Sequence, residues 1–117
     1  MSEPLTPQKV EAGIRDSINK LGELVHQYAA AGDAKATTDA DFKIAWAKAR
    51  TLRRSSELMP KPTESVLEDY ATLETEDQLR ARLSAAATEE AIKLGLRAMT
   101  SRLDAMRSLA ANLREVT

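Results

Sequence analysis

Residues 39–54 read DADFKIAWAKARTLRR and hold the only Trp and the only Phe of the chain. Lys43, Trp46, Arg50 and the pair Arg53 and Arg54 recur at three- and four-residue steps. A helix brings such positions onto adjoining parts of one face. Phe42, Ala45, Ala49 and Leu52 fall on another face, which is expected to meet a partner helix. One side packs and the other presents cations beside an indole.

Moving outward, the segment before this stretch reads as a separate helix. Thr6 is placed to cap it, and Pro7 suits the first turn, where its missing N–H costs nothing. Val10, Ile14, Ile18, Leu21, Val25 and Tyr28 follow at steps of 4, 4, 3, 4 and 3, one apolar stripe of an amphipathic helix. Residues 1–5 form a short arm. Ala29 to Ala31 close the helix, and Gly32 suits the position just past its end. A second helix is expected to start between Asp33 and Asp41, with Thr38, Asp39 and Asp41 all offering caps. It runs to Ser55–Leu58, before Pro60 and Pro62.

Beyond the prolines, Thr63 caps a helix TESVLEDYATLE with Val66, Leu67, Tyr70 and Leu73 on one side. Thr75, Glu76, Asp77 and Gln78 resemble a capping box, leaving open a break there or one continuous helix. From Leu79 to about Leu113 only Gly95 interrupts the helical pattern. Ile92, Leu96, Met99, Leu103, Met106, Ala110 and Leu113 are spaced 4, 3, 4, 3, 4 and 3, a coiled-coil-like seam. A helix of about 40 residues is about 60 Å long. Two shorter helices do not cover that length, so Ile92, Leu96, Met99, Leu103, Met106 and Leu113 are expected at an interface with another copy of the chain.

Composition agrees with an all-α fold. Aromatic residues are 3% of the chain, and the hydrophobic 43% comes largely from Ala. Ala, Leu, Glu, Lys and Arg lose little side-chain freedom in a helix. Ala seams let helices approach closely but bury little area, which favours self-association. At 117 residues the chain reads as one domain. Net charge is −1, unlike the basic balance of a nucleic-acid coat, yet the charge is sorted into blocks. Residues 43–63 carry 6 basic and 1 acidic side chains, and residues 64–77 carry 6 acidic and none basic. Such blocks build a binding face or pair with one another between subunits. There is no Cys, hence no disulfide and no thiol chemistry. No signal peptide and no membrane span are apparent, and a cytoplasmic location is expected.

Catalytic chemistry has little to work with. The single His, His26, lies on the flank of the first helix and reads as a surface residue. The acids Glu64, Glu68, Asp69, Glu74, Glu76 and Asp77 lack the looped spacing of a hard-cation site and read as a solvated face. Gly13, Gly22, Gly32 and Gly95 form no phosphate loop. No enzyme, cofactor or metal is therefore expected. Single strands are bound by cations along the phosphates and by aromatic faces stacking on bases. Lys43, Trp46, Lys48, Arg50, Arg53 and Arg54 supply both types. Against this, Trp46 sits beside core-facing Phe42 and Ala49, and the cations have an acidic block nearby to pair with. Lys93, Arg97, Arg107 and Arg114 make a second basic row, of the kind that flanks helical seams.

Three segments carry a resemblance: FKIAWAKAR with its Lys48-Ala49-Arg50 element, YATLETEDQL, and LDAMRSLAANLRE. Together they resemble the UvsY-like recombination mediators of phages. The resemblance implies an all-helical oligomeric accessory that binds single-stranded DNA. It also implies partners, namely a phage or host recombinase and single-strand-binding protein, with the accessory helping to load the recombinase. Only Lys48 and Arg50 carry over as DNA contacts. The competing expectation is a helical assembly or protein–protein adaptor with no nucleic-acid role. Pairing of Lys48 and Arg50 with Glu68, Asp69 or Glu74 favours the adaptor, and an open basic groove favours DNA. The expected architecture is an antiparallel helical hairpin or bundle with a long C-terminal helix, oligomeric through a coiled-coil-like seam.

Overall fold

The computed structural model describes residues 4–55 and 61–116. They form three helices: α1 Pro7–Arg54, α2 Glu64–Glu74 and α3 Glu76–Val116. No strand occurs among the described residues, so the fold is all-α. Contacts group the chain into two units. A terminal unit takes residues up to Ala30 and from Glu90 on, and an inner unit takes Ala31–Glu89.

The main departure from expectation is α1. It is one helix of 48 residues, with no end at Ala31 and no second start between Asp33 and Asp41. Gly32 lies inside it, and its cost of about 1 kcal/mol is offset by the alanines around it, the best helix formers. The residues taken for caps have other partners. Thr38 Oγ1 donates to the carbonyls of Ala34 and Lys35 at 3.0 and 3.1 Å, a bond made inside a helix. Asp39 pairs with Arg82 of α3. The inward positions also run without a phase break: Val10, Ile14, Ser17, Leu21, Leu24, Tyr28, Ala31, Lys35, Thr38, Phe42, Ala45 and Ala49 are all buried or half-buried.

That list corrects the stripe read from sequence. Ser17 and Leu24 face inward, whereas Ile18 and Val25, one position later, are exposed. Phe42, Ala45 and Ala49 face inward as expected, but Leu52 is exposed and Arg53 is half-buried in its stead. A step of 4 from Ala49 keeps α1 in contact with α2 through Arg53, whose guanidinium lies over the Tyr70 ring at 4.8 Å.

In the terminal unit α1 and α3 run antiparallel. Glu11 approaches Arg114, Gly13 and Ser17 meet Met106, and Leu24 meets Gly95, so rising numbers on α1 match falling numbers on α3. A β-carbon on Gly13 would lie 3.2 Å from the Met106 methyl. The Ser17 hydroxyl donates to the Met106 sulfur at 3.6 Å. Leu103 and Ala110 are buried here, and Ile92, Leu96, Met99, Met106 and Leu113 are half-buried, all within one chain. The first half of α1 lies along this seam through Gly13, Ser17 and Leu24, and Ile92, Leu96, Met99, Met106 and Leu113 each keep part of their surface exposed in the single chain.

The inner unit has the same antiparallel order, with a polar seam. Lys35 Nζ reaches Glu89 Oε1 at 3.4 Å, and Gly32 faces the same carboxylate. Arg82 pairs with Asp39 and lies over the Phe42 ring at 5.1 Å. Such partly exposed pairs contribute little energy, about 0–1 kcal/mol each, but they reject a shifted register, which would leave charges unpaired.

At the far side of the proline segment, Thr63 caps α2 as read, its hydroxyl accepting from Val66 N at 3.3 Å. Thr6 caps α1 in the same way, accepting from Lys9 N at 3.2 Å. Expectations for residues 1–3 and 56–60, Pro60 included, lie outside the described residues. A break does occur at Thr75, where α2 gives way to α3. It is not a capping box: the Thr75 hydroxyl turns back to donate to the Ala71 carbonyl at 2.6 Å. Leu67, Ala71 and Thr75 are the buried side of α2 and this joint.

Candidate functional site

The six residues expected to bind nucleic acid all lie in the inner unit, on the last three turns of α1. The structure divides them into two groups. Arg50, Arg53 and Arg54 face α2, whereas Lys43 and Lys48 face solvent. Trp46 is half-buried between them.

The arginine group is held by α2. Arg50 forms an ion pair with Glu64, and Arg54 Nη2 donates to the other oxygen of that carboxylate at 2.7 Å. Glu64 is the first residue of α2, and Arg53 and Arg54 end α1, so these charges also suit both helix dipoles. The Arg50 guanidinium lies over the Trp46 ring at 5.2 Å, covering one face of the indole. Its Nε is buried with no acceptor among the described residues, as is the Nε of Arg53. Arg53 is engaged by Tyr70.

The acidic block is therefore a partner of the basic stripe within one chain. The contact is Glu64 rather than Glu68, Asp69 or Glu74, which are exposed and have no ion pair among the described residues. Glu64 follows the Thr63 cap directly, a sequence signal that places it on the first turn of α2, where the preceding helix ends nearby. Glu76 is taken by Arg80 one turn later at 2.5 Å.

Lys43 and Lys48 have no ion pair among the described residues. Lys48 does not stand in a basic groove. It lies beside a shallow, largely apolar surface concavity lined by Ala47, Thr51 and Leu52. Ile44 and Leu52 precede and follow it by one helical turn, exposed to 55% and 72%. The sequence reading missed this apolar flank because Leu52 was assigned to the core. On α3, Arg114 approaches Glu11 of α1 at 3.9 Å, so one member of the second basic row lies beside a carboxylate. His26 is exposed.

No family model, curated protein or solved structure matches this chain. What it does has to be read from its own surfaces. Among the described residues, no helix is long and apolar enough to cross a membrane, and no group of three or more His, Asp or Glu is arranged to hold a metal ion.

Proposed function

We propose that the chain is a helical protein–protein adaptor that offers exposed apolar side chains on the helices of its inner unit. The observation that carries this reading is the convergence of Arg50 and Arg54 on Glu64. It takes two of the expected phosphate-binding cations out of service, and Tyr70 engages a third, Arg53. On the same helix Ile44, Ala47 and Leu52 are left exposed beside Lys48, with Ile44 and Leu52 as the large apolar members. Exposed apolar residues grouped on one face mark contact with another protein.

The test is binding of a labelled single strand against salt. The adaptor reading expects no measurable affinity at physiological ionic strength, and a log–log slope at low salt shallower than about −2, since two lysines reach at most about two phosphates. A slope steeper than about −3, lost in Lys43→Ala/Lys48→Ala, would overturn it.

The second reading is the one implied by the likeness to UvsY-like mediators: a homo-oligomer that binds single-stranded DNA and assists recombinase loading in phage recombination. What favours it is the exposure of Lys43 and Lys48 without ion partners among the described residues. Oligomerisation would multiply that pair of charges into a larger surface. The same titration decides between the two readings.

A further inference from the structure

Two exposed faces of the inner unit are complementary in charge and alike in shape. On α1, Ile44, Lys48 and Leu52 follow one another at four-residue steps, so they form one ridge along the helix. On α2, Val66, Asp69 and Leu73 occupy the side opposite buried Leu67 and Ala71. Val66 and Leu73 are exposed to 48% and 75%. Each face is thus an apolar pair with one charge between its members, positive on α1 and negative on α2. The outer apolar residues are separated by about 12 Å on α1 and about 10 Å on α2, from the helical rise of 1.5 Å per residue.

Neither central charge has an ion partner among the described residues of its own chain. Lys48 and Asp69 make no ion pair among the described residues, while the neighbouring cations Arg50 and Arg54 are already joined to Glu64. The surroundings extend the match. Lys43 is the other exposed, unpaired cation of this part of α1, and Glu68 and Glu74 flank the α2 face. The apolar concavity beside Lys48, floored by Ala47 and Thr51, offers room for a branched aliphatic side chain.

We propose that the occupant of the α1 face is the α2 face of a second copy of this chain, with Lys48 of one copy meeting Asp69 of the other. The proposal rests on the adaptor reading and names its partner. The contact pairs two different patches. When both copies exchange them reciprocally the result is a closed dimer, and when they do not the copies add head to tail. Charge at the centre of an apolar contact specifies the match, because a like charge in that place costs far more than a solvated one.

The experiment is a charge swap, read by sedimentation velocity over a range of concentrations. The wild-type chain is expected to associate. Lys48→Glu and Asp69→Lys each place like charges opposite one another and are expected to weaken self-association at least about tenfold. Lys48→Glu/Asp69→Lys in one chain restores the pairing and is expected to bring association back. In an equimolar mixture of the two single variants a reciprocal heterodimer has opposite charges at both 48–69 contacts, and the mixture is expected to associate more tightly than either variant alone. Helicity by circular dichroism serves as the folding control, since all four residues changed or apposed are on the surface. A monomer at every concentration, or a double swap no better than the single variants, overturns the proposal. In that case the strand-binding titration still speaks separately: no steep salt dependence leaves the adaptor reading standing with a different partner, and a steep one removes both.

Discussion

Arg50 and Glu64 tie the end of α1 to the first turn of α2, and Arg54 closes on the same carboxylate at 2.7 Å. One acid therefore answers two guanidiniums. Glu64→Gln keeps the shape of the side chain and removes the shared charge, together with the negative end group of α2. The loss of stability is expected to be about 1–2 kcal/mol, since Arg54 and Glu64 are well exposed and screened by solvent. It is measured as a lowered urea midpoint at constant m value. An unchanged midpoint would mean that screening cancels the contact.

Gly32, unlike Gly22, gives opposite answers under the two descriptions of α1. Both lie inside a single helix here. A β-carbon on Gly22 meets nothing within 4 Å, and one on Gly32 meets the Glu89 carboxylate at an ordinary 3.6 Å. Gly22→Ala and Gly32→Ala are each expected to raise stability by up to about 1 kcal/mol. If Gly32 ended a helix in left-handed backbone, alanine there would be destabilising instead. Thermal unfolding of the two variants side by side decides it.

Ser17 occupies a buried position, 3% exposed, and its hydroxyl donates to the Met106 sulfur. Sulfur is a weak acceptor, and serine is a poorer helix former than alanine. Ser17→Ala should stabilise the chain by about 0.5 kcal/mol, a Tm rise of about 2–4 °C. A fall in Tm would show that the hydroxyl–sulfur contact contributes more than the side chain costs.

Leu67 and Leu73 share α2 but lie on opposite sides of it. Leu67→Ala is expected to cost about 2–5 kcal/mol by leaving a cavity. Leu73→Ala, measured at a concentration where the chain is monomeric, is expected to change stability by less than about 0.5 kcal/mol. Equal effects would contradict the sidedness of α2.

The helical class and the caps at Thr6 and Thr63 were legible because each depends on residues close in sequence, whereas at Thr75 a break and a continuous helix stayed open. The continuity of α1 was not legible. Two successive inward positions in the inner unit, Lys35 and Thr38, are polar, so periodicity faded where the helix did not. The pairings that make those positions tolerable, with Glu89 and within the helix itself, involve residues far away or a backbone already helical. Ile18, Val25 and Leu52 were misplaced for a related reason: apolar residues occur on more than one side of α1, and spacing alone does not choose among them. The basic stripe was visible as chemistry, but its occupation by Glu64 required knowing where α2 folds back.

The contacts also differ in how much chain they enclose. Arg54 and Glu64 are 10 positions apart, Lys35 and Glu89 54, and Ser17 and Met106 89. Closing the longest of these loops from an open chain costs about 2 kcal/mol more than closing the shortest. Folding is thus favoured from the middle of the chain outward, each closure shortening the next. During synthesis the first half of α1 is made well before residues 90–116, so it waits for most of this sequence to be translated before it meets its partner.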